Sequence, residues 1–512
     1  MRRRKRSVSL GEFLLITAVI IVMLTGCIIF FIGIGSKDSE TELIYTVEED
    51  IMRGVYAVYR NIMIFAASIN NNELNHNQNN PGNHHPASSG TTEIKVINIA
   101  EHDLNLKNDL DAESKSHNAM AASVVVFDGF AGTFYTYEYG FASKEHNRAA
   151  NVNTKYRVAS LSKLVTAVCA LILADQGKLD LDEDIAVYLG YNARNPAHSD
   201  VPITARMLMQ HTSTIVDSQA FENSILRSVN QRTSTEDLLK QRATYLGRKP
   251  GTAYYYSNFA YTILGAVIEH ITGKKLDAAA NELLFKPLDI DAAFVPENII
   301  DKDNVAAMYN TNHAVTRSID LQLTNINTRG IGEDQHLAQG GLVISALDYA
   351  KILAMLGNGG TYLGERIISG DIIEKMHVAD ITGAGFEQAL SPRYTSGGRG
   401  IITTSDGNAT LPLWRNEQFD DYITFQYTKE DDIFIPNDGF FWHTGTGYGV
   451  FAQYIYLATD GNMHGMGGEF TSRGAVVVTT GAWSGRAENG IIAVCTHLSS
   501  IAWLGLGFDV EK

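Results

Sequence analysis

Ser160-Leu161-Ser162-Lys163 sets a hydroxyl and an amine three residues apart, at the head of an apolar run from Leu164 to Leu173. Residues three apart share a helix face, so Ser160 Oγ and Lys163 Nζ can approach each other. The apolar run draws such a helix inward and carries Lys163 out of water. Desolvation penalises the ammonium, so a neutral amine able to accept a proton becomes accessible near neutral pH. A hydroxyl beside such a base is an activated nucleophile. Alone the pattern is weak, because Ser-x-x-Lys arises by chance roughly once or twice in a chain this long. An ordinary helix with a capping serine and an exposed lysine fits it as well.

Two further clusters add chemistry. Tyr256-Ser257-Asn258 follows Pro250-Gly251 and precedes the apolar stretch Phe259 to Ile271. A tyrosine near a cationic lysine can be held partly as phenolate, which makes Tyr256 a second candidate base. Asn258 offers a donor and an acceptor for gripping a substrate amide. The plain alternative is a structural tyrosine beside a helix N-cap, supplied by Ser257 or Asn258. His443-Thr444-Gly445-Thr446-Gly447 leads into the strand-like Val450 to Leu457. Gly445 would let a ligand approach an edge strand closely, and His443 could steer a carboxylate or relay a proton. A glycine-rich turn with a surface histidine is the alternative there.

In this order, the three clusters resemble the serine β-lactamase and penicillin-binding-protein superfamily, and in particular its class C β-lactamase, DD-peptidase and esterase branch. Ser160 and Lys163 match the first motif, and Tyr256-Ser257-Asn258 matches the second in its Tyr-x-Asn form. His443-Thr444-Gly445 matches the third, with His for Lys. Flanking stretches agree: Gln176 to Asp184, Met209 to Ser213, and Gly340 to Asp348. The likeness covers roughly 119–512. Thr214 stands where the branch usually has Gly. His464-Gly465-Met466-Gly467-Gly468 is a rival third motif, with Met466 where the branch has glycine.

The resemblance implies that Ser160 attacks a carbonyl and forms an acyl-enzyme, with Lys163 and Tyr256 sharing the proton transfers. The backbone N–H groups of Ser160 and Thr446 would hold the oxyanion. Asn258 would orient the substrate amide, and His443 its carboxylate or leaving group. Water would release the product, with no metal or cofactor. Small peptides, β-lactams or esters are the implied substrates. The histidine in the third motif leaves open a catalytically weakened penicillin-binding-like module with a binding or regulatory role.

The resemblance implies an α+β fold of the β-lactamase/transpeptidase type to position these residues. Ser123 to Phe127, a turn at Asp128-Gly129, and Thr133 to Tyr139 read as a hairpin. Residues 164–376 read as mainly helical, and Val450 to Leu457 and Gly474 to Thr480 as strands again. An antiparallel sheet built from both chain ends is expected, flanked by helices and beside a separate helical lobe, with the site where the two meet.

Before that domain, Arg2, Arg3, Arg4, Lys5 and Arg6 form a basic tip (1–12), followed by an uncharged stretch (13–35). Its length suits the about 20 residues a bilayer core requires. The charge bias predicts a single-pass transmembrane helix with its N-terminus cytoplasmic and the domain at 119–512 outside. Leu24-Thr25-Gly26-Cys27 offers a rival reading as a lipoprotein cleavage box with Cys27 lipidated. Residues 36–118 read as a stalk and Asn-rich linker, whose His76, His84 and His85 lack companions at metal-ligand spacing. Three cysteines make no disulfide framework; Cys169 and Cys495 read as buried thiols, and a bridge between them is unmotivated. A net charge of −16 over 512 residues gives no electrostatic reason to expect a nucleic-acid partner.

Overall fold

A computed structural model describes residues 93–227, 232–252, 255–324, 329–377, 440–457, 472–483 and 493–506, together with four two-residue strands between 409 and 427. The expected transmembrane helix at 13–35, Cys27, the Asn-rich linker and His464 lie outside the described residues. Among those described, no helix is long and apolar enough to cross a membrane.

The central sheet draws its strands from both ends of the chain. In chain order they are β1 (Lys95–Asn98), β2 (Ala121–Asp128), β3 (Thr133–Ser143), β4 (Phe440–Gly447), β5 (Val450–Leu457) and β6 (Arg473–Thr480). Their spatial order is β1-β3-β2-β6-β5-β4, and a seventh short strand, Arg148–Ala149, pairs with β3. The expected hairpin is β2–β3, with Val125 opposite Thr136. The β4–β5 hairpin closes on Tyr448-Gly449, whose φ values of 56° and 88° match a tight turn with both central residues left-handed.

The sheet is not wholly antiparallel, as the sequence suggested. β1 runs parallel to β3, with Lys95 opposite Thr133. A parallel neighbour needs a crossover, and here the chain passes through helix α1 (Leu104–Ser116) before entering β2. The sheet and its covering helices therefore include 95–116, which the sequence reading left in the stalk. The cause lies in β2, a strand buried on both faces. Ala121, Val125 and Phe127 pack into the large core, while Ala122, Val124 and Val126 pack into a second one. That second face needs a cover. α1 supplies Leu106 and Leu110, and the C-terminal helix α5 (Ala493–Gly505) supplies Val494, Leu498, Ala502 and Trp503.

On the opposite face α4 (Ala346–Gly357) packs against β2 and β6, while α2 (Ser162–Asp175) and α3 (Asn258–Thr272) pack on each other. One continuous apolar cluster joins sheet residues such as Phe127 and Val476 to Leu264, Phe221 and Leu353. The helical middle is therefore not a separate lobe, because it shares its core with the sheet. Cys169 and Cys495 are free buried thiols in cores on opposite faces of that sheet, which rules out a bridge between them.

Candidate active site

Ser160 occupies a single turn of 3-10 helix, Ala159–Leu161, immediately ahead of α2. Ala159 holds a φ of 49°, a left-handed conformation uncommon for a residue with a side chain. The turn is tied down around it. Ser162 Oγ donates to the Ala159 carbonyl at 2.6 Å and accepts from Leu342 N–H at 3.0 Å, and Val158 N–H donates to the Leu342 carbonyl at 3.0 Å.

Lys163 begins the first turn of α2, fully buried. Its Nζ lies 3.1 Å from Ser160 Oγ, 2.9 Å from Asn258 Oδ1 and 2.7 Å from the Gln339 carbonyl oxygen. Burial pulls its pKa down to about 7, against an opposing pull from the Asp217 carboxylate. The desolvated lysine expected from the apolar run is therefore present, and the sequence placed it there through α2, whose residues Ser162 to Leu173 are all buried.

Tyr256 approaches from the other side. Its hydroxyl donates to Ser160 Oγ at 3.0 Å, and its ring centroid lies 5.0 Å from Lys163 Nζ. The helix-cap reading of Tyr256-Ser257-Asn258 holds, and it leaves Tyr256 facing the serine. Ser257 caps α3, accepting from Ala260 N–H at 3.0 Å, while Tyr256, one residue outside the helix, faces the serine.

Asn258 is the pivot between Lys163 and a residue the sequence reading missed, Asp217. Asn258 Nδ2 donates to Asp217 Oδ2 at 2.8 Å. Asp217 Oδ1 also accepts from Ser257 Oγ at 3.0 Å and from Phe259 N–H at 2.8 Å. No local pattern marks Asp217; its only signal was a carboxylate a few residues beyond the Met209-to-Ser213 stretch. Within that stretch His211 packs its ring 4.5 Å from that of Tyr256, and its Nδ1 accepts from Ser257 N–H at 3.1 Å. Burial, with the charge of Lys163 next, holds His211 neutral. Thr214, the departure from glycine, adopts a φ of 67°, so the position does call for a left-handed residue. Its Oγ1 accepts from Asn195 Nδ2 at 3.0 Å.

β4 forms the remaining wall. A side chain added at Gly445 would meet the Val158 carbonyl oxygen at 2.3 Å and Ser160 N at 3.2 Å, so only glycine lets this strand close on the serine turn. Thr446 is exposed on the same strand. His443 lies with its ring 6.3 Å from that of Tyr256. It is buried rather than on the surface, and its Nδ1 donates to the Thr444 carbonyl at 2.6 Å. Burial, then the nearby Lys163, pushes its pKa down to about 3. Both effects favour the neutral ring.

Ser160, Lys163, Tyr256, Asn258, His443 and Gly445 thus meet in one place, with a proton-accepting amine and a phenol both on the hydroxyl. Such an arrangement can make serine a nucleophile toward carbonyl carbon. Comparison with known proteins agrees. The Beta-lactamase family model matches residues 106–489. Protein flp of Staphylococcus aureus (strain MRSA252) is 26% identical over 204 residues, 40% of this chain and 38% of its own length. The D-alanyl-D-alanine-carboxypeptidase/endopeptidase AmpH of Escherichia coli (strain K12) is 29% identical over 180 residues, 35% of this chain and 46% of its own length. The matches span less than half of these curated relatives. A class C beta lactamase from Rhodobacter sphaeroides shares the fold with a TM-score of 0.53 at 17% identity, covering 78% of this chain and 99% of that one. The chain belongs to the Beta-lactamase family, within the serine β-lactamase and penicillin-binding-protein superfamily.

Proposed function

We propose that the protein is a serine hydrolase acting through an acyl-enzyme on an amide, β-lactam or ester carbonyl. One observation carries this reading. Lys163 Nζ faces two oxygens that can only accept, Asn258 Oδ1 at 2.9 Å and the Gln339 carbonyl at 2.7 Å. A neutral amine has two N–H bonds and one lone pair. With both N–H bonds taken by those oxygens, the lone pair is left for the Ser160 hydroxyl at 3.1 Å. The orientation of Asn258 is settled by its other end, since a flipped amide would set its oxygen against the Asp217 carboxylate.

Attack then proceeds as Ser160 O–H passes its proton to Lys163 while Oγ bonds to the carbonyl carbon. Tyr256, already donating to Oγ, supports the developing alkoxide and returns a proton to the leaving group, to be replenished from Lys163. The oxyanion is received by the N–H groups of Ser160 and Thr446, brought together because Gly445 has no side chain. Each such donor is worth about 2.7–4 kcal/mol of barrier. Asn258 keeps one N–H of Nδ2 for the substrate amide, and His443 acts as a neutral hydrogen-bonding ring. The activity printed in the name of AmpH supports small peptides as one substrate class. The basic tip and apolar stretch at 2–35 support anchoring in a membrane with the catalytic domain outside, facing such substrates.

The test is covalent labelling with a fluorescent penicillin and with a fluorophosphonate. Label that depends on Ser160 and turns over on ester, β-lactam or D-alanyl peptide substrates supports the proposal. Label retained in Ser160→Ala overturns it. Label without product release would mark a penicillin-binding module instead.

A further inference from the structure

On the sheet face away from Ser160, Glu113 near the end of α1, His117 capping that helix, and His497 on α5 turn three ligand atoms toward one point. His117 Nε2 lies 3.0 Å from Glu113 Oε1, His497 Nδ1 lies 2.8 Å from the same oxygen, and the two nitrogens are 3.3 Å apart. We propose that these residues form a binding site for a divalent first-row transition metal, tested as Zn²⁺, which clamps α1, the helix between β1 and β2, to α5, the helix after β6.

The distances carry the geometric part. A zinc ion bound at about 2.0–2.1 Å spaces its ligands about 3.3–3.4 Å apart in a tetrahedron and about 2.9 Å apart in an octahedron. The three observed separations fall close to this range. Two imidazoles and one carboxylate suit zinc and its neighbours rather than calcium or magnesium, which favour all-oxygen sets.

The protonation pattern carries the chemical part. His117 Nδ1 lies 3.3 Å from the Trp483 carbonyl oxygen, which can only accept. In the Nδ1–H tautomer that this contact favours, Nε2 points a lone pair at Glu113 and His497. A backbone carbonyl on the far nitrogen is the usual way a metal-ligating histidine is oriented. In that tautomer, and without a cation, one proton on His497 Nδ1 serves both Glu113 Oε1 and His117 Nε2. A metal ion takes all three lone pairs at once. Glu113 is nearly buried, whereas the His497 side chain is 34% exposed, leaving an entry path and room for a water as fourth ligand.

The sequence hid this site because His497 stands 380 positions from His117, and the Glu113–His117 pair four residues apart on one helix is too short to mark a site alone. Its consequence is a crosslink between the two ends of the fold where the cysteines provide none. Binding to the folded state alone raises apparent stability with metal concentration.

The experiment uses the full chain, stripped with a chelator and titrated with ZnCl₂, with calorimetry for stoichiometry and thermal unfolding for stability. Co²⁺ substitution reads coordination through its visible absorption. One zinc per chain is expected at micromolar affinity or tighter, with a rise in Tm. His117→Ala and His497→Ala should each weaken it by about 100-fold. His497→Gln, at the most exposed of the three, serves where His117→Ala fails to fold. His84→Ala/His85→Ala tests the histidines of the Asn-rich linker and should leave binding unchanged. No stoichiometric zinc, binding that survives loss of His497, or binding lost in the linker variant would overturn the proposal. Since Ser160 labelling is independent of this site, the result stands apart from the hydrolase reading.

Discussion

Asn258 donates its amide N–H to Asp217 Oδ2 at 2.8 Å and, being so oriented, turns its oxygen to Lys163. Asp217 thus acts on Ser160 through two intermediaries without touching it. The same carboxylate accepts from Ser257 and Phe259 at the start of α3, so it also sets where Tyr256 leaves the helix.

Asp217→Ala leaves three donors without an acceptor. Hydrogen bonds to a charged group contribute about 1.5–3 kcal/mol each. Acylation should fall by about 10²–10³-fold, and Tm should drop as well. Asp217→Asn keeps the shape but removes the charge that holds the Lys163 pKa up. Its acid limb in the pH profile should move to lower pH. Rates of label incorporation against pH, compared with wild type, check both statements.

Acylation should depend on pH through Lys163. Burial places its pKa at about 7, far below the ordinary lysine value. Below that pH the amine is protonated and has no lone pair to offer. The rate should fall about tenfold per pH unit on the acid side and level off above it. Lys163→Ala should lose label while its far-UV circular dichroism and Tm show a folded protein. A flat profile between pH 5 and 8 would remove Lys163 from the role of base.

Gly445→Ala places a methyl group against the Val158 carbonyl and Ser160 N. Neither is a flexible side chain, so the strand or the serine turn has to move. Overpacking of this kind costs about 1–3 kcal/mol. Labelling should drop more than tenfold, because the displaced strand carries Thr446. Tm and labelling rate measured on the same preparation separate the two effects.

Thr214→Gly should raise stability slightly. A β-branched residue in the left-handed region carries strain of about 1–2 kcal/mol, and glycine relieves it at some cost in unfolded-state entropy. Asn195 loses one partner but keeps the Leu246 carbonyl at 2.8 Å. An increase in Tm of a few degrees is expected, read by thermal unfolding; a decrease would mean the Asn195–Thr214 hydrogen bond outweighs the strain.

Much of the site was legible in order along the chain. Ser160 and Lys163 announce themselves because helix spacing and the following apolar run are local properties. Tyr256 and Asn258 stand beside a helix start that Ser257 caps, also a local device. Asp217 was invisible because its role lies entirely in partners about 40 residues away, reached through loop geometry. The burial of His443 was not legible for a similar reason. A surface ring was one alternative for the glycine-rich turn, while strand packing buries the side chain near Lys163, which favours its neutral form. The start of the fold was placed late because α1 is polar on most of its surface. Only the second apolar face of β2 shows that Leu106 and Leu110 are required.

By itself the sequence determined which buried helix follows Ser160, which segments become strands, and that Lys163 leaves water, because each follows from periodicity and hydrophobicity within a few residues. Tertiary structure alone decided the parallel β1, the continuous core, the burial of His443, the orientation of Asn258 by Asp217, and the meeting of Glu113, His117 and His497. Those depend on which distant groups share a desolvated space, and neither electrostatics nor hydrogen bonding across such a space is written in the spacing of residues along the chain.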